Sequence, residues 1–141
     1  MTRARTVVLG LAPLVLLSCS AIAPVKITAG DQCFRCRRII TDTNLAAEQI
    51  QGGLTSKYRA PGCMAKYLVA HPDEGGTLFV TDYATGKMIP PAEALFVKVL
   101  LDRNTGETDY QAYKTGADAS AAALQLGTTP VDWRTVLDRA H

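Results

Sequence analysis

The chain predicts an α+β fold: a single small domain made of two similar strand-strand-helix halves plus a C-terminal helix. Three observations predict it. Short β-branched or alternating runs are separated by Gly-containing turns, helix-start signals open stretches of helical periodicity, and the order of these pieces occurs twice. Of the 141 residues, 15 are Lys or Arg and 13 are Asp or Glu. Arg3 and Arg5 belong to an N-terminal leader, and without them the basic and acidic residues balance at 13 each. That balance provides no footing for a nucleic-acid partner. About 120 residues follow the leader, enough for one domain with a modest core.

The leader has the form of an export signal. Arg3 and Arg5 are its positive end, and Val7 to Leu17 is an uncharged apolar stretch, broken only by Gly10, Ala12 and Pro13 and short for a membrane span. Leu16-Leu17-Ser18-Cys19 resembles the lipobox of bacterial lipoproteins, whose cysteine is acylated and becomes the new N-terminus. This makes residues 1–18 a lipoprotein signal peptide, Cys19 the lipidation site, residues 19–30 a lipid-anchored tether and residues 31–141 the folded domain. Ser20 rather than Asp after the cysteine implies, by resemblance to lipoprotein sorting, a periplasm-facing cell-envelope protein of the outer membrane. Cleavage after Ala21-Ile22-Ala23, disfavoured by the following Pro24, and an uncleaved anchor are the other readings.

Within the tether, Val25 to Thr28 is a short strand candidate. A cysteine-rich turn follows, and Arg38 to Thr41 has strand propensity. Asp42-Thr43-Asn44 is a turn, Leu45 to Gln51 a strand, Gly52-Gly53 a two-residue hairpin connection and Leu54 to Arg59 the partner strand. Pro61 stands at the favoured first position of a helix in which Met64, Tyr67, Leu68 and His71 share a face, and Pro72 to Gly76 end it. A second half restarts with Thr77 to Tyr83 as a strand, a turn at Ala84-Thr85-Gly86, and Lys87-Met88-Ile89, which Pro90-Pro91 stops. Leu95 to Leu101 is a strand, with a helix start at Ala92-Glu93-Ala94 as the alternative. Arg103 to Gly106 turns into a strand at Thr108 to Thr115, then Asp118 caps a helix over Ala119 to Leu126 stopped by Gly127. Thr129-Pro130-Val131-Asp132 starts a last helix that buries Trp133, Val136, Leu137 and Ala140. The halves align with Tyr58-Arg59 opposite Tyr113-Lys114 and Cys63 opposite Asp118, as in a duplicated ββα-type unit.

Beyond Cys19 the chain has three cysteines, Cys33, Cys36 and Cys63, an odd number for an oxidising compartment. Arg35, Arg37 and Arg38 flank the CxxC pair, and their charge favours thiolate over thiol. Cys63, in the first turn of a helix, meets unpaired N–H groups, and Met64 adds a thioether. If the turn packs against that helix end, Cys33, Cys36, Cys63 and Met64 make a soft sulfur site suited to Cu(I), with Zn(II) as the competitor. The other reading is a Cys33-Cys36 disulfide with Cys63 an inert buried thiol. His71 lies eight residues beyond Cys63, roughly 12 Å along a helix, too far to share a metal. Asp42 and Asp82 read as turn or strand-end residues rather than a catalytic pair, and no serine sits in a nucleophile-elbow context, so the sequence points away from an enzyme.

Taken together, Cys33-x-x-Cys36 with Ile39 and Asp42, Cys63-Met64 before Tyr67-Leu68, Thr81-Asp82-Tyr83 with Thr85-Gly86 and Ile89, and a late helix leading to Trp133 resemble the NosL family of nitrous oxide reductase accessory proteins. The resemblance runs over nearly the whole chain after the leader, lipobox included. It implies a copper-binding lipoprotein of two similar α/β halves, a chaperone that supplies Cu(I) to a copper-receiving client enzyme in the periplasm. Two departures stand out. Family members commonly have Cys-x-Met at the first site, and here Arg38 takes the methionine position; a family Met-Gly loop with a nearby histidine has no counterpart over Arg103 to Asp109. Only Cys36 carries over as a ligand from the family motif, whereas Cys33, Cys63 and Met64, with Met88 as an outlying candidate, follow from sulfur chemistry. Two other functional classes are a structural or partner-binding lipoprotein with a Cys33-Cys36 disulfide and no metal, and a thiol-disulfide partner protein.

Overall fold

The computed structural model describes residues 20–141; the 1–18 leader and Cys19 lie outside the described residues. The domain is α+β, with two antiparallel sheets and three α-helices. The first hairpin is β1 (Ala47–Gln51) and β2 (Leu54–Tyr58). Gly52 and Gly53 join them, with φ of 57° and 80°. Positive φ at both central residues is what a tight hairpin of right-twisted strands demands, and only glycine takes it without strain. Helix α1 (Pro61–Ala70) follows, with Pro61 in its first turn as predicted.

Strands β3 (Thr77–Thr81) and β4 (Met88–Ile89) complete a four-stranded sheet in the order β2-β1-β3-β4. This corrects the expectation that the second half begins at Thr77. Strand β1 sits in the middle and pairs β3 from Ala47 opposite Val80 to Ile50 opposite Thr77, so the 77–89 hairpin finishes the first sheet. A short 3-10 turn at Pro91–Glu93 leads into β5 (Leu95–Asp102), which pairs with β6 (Glu107–Tyr113) as a separate two-stranded sheet. Helices α2 (Gly116–Leu126) and α3 (Trp133–Asp138) close the chain.

Alternation along the second hairpin divides the interior in two. Phe96, Tyr110 and Ala112 join the main core with Ala47, Tyr58, Met64, Val80 and Val136, whereas Val97 and Tyr113 meet Ala119 and Ala123 of α2 in a smaller one. A parallel bridge between Asp82 and Ala112 links the sheets, and Phe96 is bridged to Val131 ahead of α3.

The predicted repeat holds as two hairpin-helix units, β1-β2-α1 and β5-β6-α2. In each a strand ends on tyrosine, Tyr58 or Tyr113, and a helix starts three residues later, at Pro61 or Gly116. The α2 cap is Thr115, not Asp118: the Thr115 hydroxyl accepts from the Asp118 N–H at 3.1 Å and donates to the Asp118 carboxylate at 2.7 Å.

Two strand expectations are corrected. Arg38 to Thr41 forms only one isolated bridge, Ile39 to Gln32, because the chain there closes a tight loop. Residues 25–28 form no strand either, because a side chain takes the hydrogen bond that a neighbouring strand would take. The Val25 N–H donates to Glu48 Oε1 at 2.7 Å, and Ile27 is buried. Part of the predicted tether is therefore docked on the domain.

Glu48 is itself fully buried in β1, and its Oε2 has no hydrogen-bond partner. Lys57 stands opposite it on β2, but the lysine's ammonium binds Asp31 at 2.7 Å. Burial pushes the Glu48 carboxyl above the ordinary range, against the smaller opposing pulls of the Val25 N–H and the Lys57 charge. A raised folded pKa means that the native state holds this proton longer than the unfolded chain. The resulting stability is complete at pH values below the unfolded carboxyl value of about 4.3 and is lost as pH rises through the raised folded value. Glu48→Gln keeps the acceptor for Val25 and removes the titration. In thermal unfolding it is expected to match the wild type near pH 4 and exceed it at neutral pH, and parallel profiles would disprove this role.

Candidate metal centre

The first part of the site is a loop closed by its own backbone. The Cys33 N–H donates to the Arg38 carbonyl at 2.9 Å, and the Arg37 N–H returns to the Cys33 carbonyl at 3.0 Å. Arg37 takes φ of 63°, a left-handed conformation unusual for a side chain of its size, and the Gln32 amide braces its carbonyl at 2.9 Å. The Phe34 N–H donates to the Lys57 carbonyl at 2.7 Å, which fastens the loop to the end of β2.

The second part is the first turn of α1, which carries Cys63. Ala60, at the cap position, has no side-chain acceptor to offer. An acceptor arrives from the other half: Asp109 of β6 takes the Gly62 N–H on Oδ1 at 2.6 Å. A Cβ on Gly62 would stand 2.7 Å from that oxygen, so the contact depends on glycine. Burial raises the Asp109 pKa, and the Tyr110 and Gly62 N–H groups oppose the rise. Sequence reasoning missed Asp109. The available sign was a helix start without a polar cap residue, next to a repeat whose helix has Thr115.

The loop and the helix end bring the three thiols together. Their Sγ atoms lie within 4.8 Å of one another, and all three are free thiols. Cys33 and Cys63 are buried, Cys36 is half-buried, and Cys33 Sγ lies 3.5 Å from Cys63 Sγ. The Cys33 thiol is pulled well below the ordinary range, chiefly by the hydrogen bond from Cys63 and then by the N–H groups of Cys36 and Arg59, against the cost of burial. The same shared proton pushes Cys63 up, with burial adding to it. The two thiols therefore titrate as a pair that gives up its first proton easily and its second reluctantly. Either thiol can be the donor in this contact, so the acidity belongs to the pair.

Of the arginines flanking the CxxC pair, Arg37 and Arg38 are engaged elsewhere. Arg38 and Arg59 both bind Glu107, at 2.8 and 2.9 Å, and Arg37 lies over the Phe34 ring at 5.5 Å. Backbone N–H groups and the neighbouring thiol, rather than guanidinium charge, set the Cys33 acidity.

Around the sulfurs is an aromatic wall. Tyr58 is fully buried with its hydroxyl donating to Gln49 Oε1 at 2.9 Å. Phe34 packs edge-on against Tyr67, with ring centroids 5.2 Å apart. Met64 is wholly buried in the core cluster that includes Cys33 and Cys63. Met88 on β4 lines a separate hollow with Ile27 and Thr81. His71 is exposed at the far end of α1, stacked on Tyr67 and outside the sulfur group. Asp82 accepts from the Thr85 hydroxyl at 2.6 Å and Asp42 from the Asn44 N–H at 2.9 Å, both in turns. The chain matches no family model, no curated protein and no solved structure.

Asp109→Ala removes the acceptor at the start of α1 and is expected to cost about 1–2 kcal/mol in urea unfolding. Gly62→Ala forces the carboxylate away and is expected to cost at least as much. In the double variant the clash is gone, so the costs should fall short of additive. Full additivity would separate Asp109 from α1.

Proposed function

We propose that the chain is an exported, lipid-anchored, non-enzymatic carrier of a soft metal, with Cu(I) as its cargo and a periplasmic copper enzyme, such as nitrous oxide reductase, as its client. The observation that carries this reading is the convergence of Cys33, Cys36 and Cys63 with Sγ atoms within 4.8 Å of one another. Three sulfurs around one metal at about 2.3 Å stand about 4 Å apart. Small side-chain adjustments would bring this set to that spacing. Among the described residues no histidine or carboxylate joins the group. A three-thiolate set suits Cu(I), which accepts low coordination and soft donors, better than Zn(II), which in a structural site asks for four ligands. Met64, buried beside Cys63 in sequence, is the proposed auxiliary thioether.

Transfer by ligand exchange needs an accessible edge, and Cys36 supplies it as the one thiol of the three that is only half-buried. An incoming donor of the client would displace Cys36 first while Cys33 and Cys63 retain the metal. The NosL resemblance and the lipobox at Cys19 favour the same reading, with the acyl chains holding the carrier at the membrane.

An anaerobic Cu(I) titration against a competing chelator is the direct test. One-to-one binding is expected, with affinity reduced on the order of 100-fold in both Cys36→Ser and Cys63→Ser and less in Met64→Leu. No competition with the chelator by the reduced wild type would end the carrier proposal. Cys19→Ser is expected to move the chain from the membrane fraction to the soluble fraction without changing Cu(I) affinity.

A further inference from the structure

The same three sulfurs support a second chemistry in the absence of metal. The CxxC spacing makes Cys33 and Cys36 the obvious disulfide pair, but the sulfurs in contact are those of Cys33 and Cys63, 3.5 Å apart. A bond between them needs a closure of about 1.5 Å to reach the usual S–S length near 2.05 Å. It would join residues 30 apart in sequence, tying the loop to α1, whereas a Cys33-Cys36 bond closes a loop of four residues. In the folded chain exchange among the three thiols favours the pair whose sulfurs already touch, and cross-linking the longer loop restricts the unfolded chain more, which raises the stability of the product. Access runs the other way, because Cys33 and Cys63 are buried and Cys36 is half-buried.

We propose that a low-molecular-weight disulfide oxidises this site through Cys36 as entry thiol, and that the resting product is a Cys33-Cys63 disulfide with Cys36 returned to the thiol. In the first step the Cys36 thiolate attacks the external disulfide, forming a mixed disulfide and releasing one reduced thiol. The Cys33 thiolate then attacks the Cys36 sulfur and releases the second. Last, the Cys63 thiolate attacks the Cys33 sulfur, and Cys36 leaves as thiolate. In sum, two protein thiols are oxidised to one disulfide and the external disulfide is reduced to two thiols. The oxidised form retains only Cys36 of the sulfur set, so it cannot assemble a three-thiolate centre. The proposal uses no metal, and its test is independent of the metal-carrier reading.

The experiment treats the reduced full chain with oxidised glutathione without metal, blocks remaining thiols with iodoacetamide and maps tryptic peptides without reduction. Trypsin cuts after Arg35, between Cys33 and Cys36, and after Arg59 and Lys66 on either side of Cys63, so the three thiols fall in separate peptides. The expected end product links the Cys33 and Cys63 peptides and leaves Cys36 alkylated. Its melting temperature should rise by roughly 5 °C or more over the reduced chain. Cys36→Ser should reach the same linkage about 10-fold more slowly, because oxidation must then start at a buried thiol. A Cys33-Cys36 linkage as end product, a reaction that stops at glutathione on Cys36, or an undiminished rate in Cys36→Ser would overturn the proposal.

Discussion

The position of the first turn of α1 decides whether there is a site at all, and one hydrogen bond between the halves holds that turn. The Gly62 N–H meets Asp109 across the interface between the first unit and the second hairpin, and the absence of a Cβ on Gly62 lets the carboxylate approach. Cys63 is the next residue. On the other side of the site the Phe34 N–H ties the cysteine loop to the end of β2, two residues short of Ala60, the α1 cap. Glu107, at the start of β6, binds Arg38 just after that loop and Arg59 just before the helix. The second hairpin therefore contributes no thiol and still fixes where both thiol-bearing segments lie.

The two units divide labour in a way that follows from two positions at the helix start. In α2 the third helical residue is Asp118, which exchanges hydrogen bonds with the Thr115 cap and makes that helix start self-sufficient. In α1 the equivalent residue is Cys63 and the equivalent cap is Ala60, so neither local acceptor is present. A lost cap of this kind is worth about 1 kcal/mol. Asp109 supplies the replacement from a distance. An alanine at the cap together with a thiol at the third position thus costs the helix its local solution, and the domain compensates through the interface.

Features written in local sequence were legible, and features written in contacts between segments were not. The Gly52-Gly53 turn, Pro61 at the start of α1 and Gly127 past the end of α2 each act through their own backbone, and each stands where the sequence placed it. The grouping of Cys33 and Cys36 with Cys63 was legible because soft sulfurs and a helix start pointed to the same place. The membership of β3 was not, since an alternating run does not say which neighbour it pairs with. Val25 to Thr28 has strand composition, yet its partner is the Glu48 side chain. The arginines around the CxxC pair suggested a positive field, but Glu107 holds Arg38 and the Phe34 ring holds Arg37, a fact that only the tertiary arrangement contains.

The proton shared by Cys33 and Cys63 would give the proposed carrier a built-in means of release. The Cys33-Cys63 pair gives up one proton easily and holds the other, because a second negative charge in the same buried place is costly. A bound Cu(I) would offset that cost, so loading the full set would expel the pair's remaining proton, and the free energy of binding would be reduced by the work of removing it. If a client's donor entered at Cys36 and drew the metal outward, the charge that kept the pair ionised would leave with it, and return of a proton to the Cys33-Cys63 pair would favour completion of the transfer. Three freely exposed thiolates would hold copper without this opposing term. Burial of two sulfurs in hydrogen-bond contact, with the third at the rim, therefore suits a carrier that must give its cargo up.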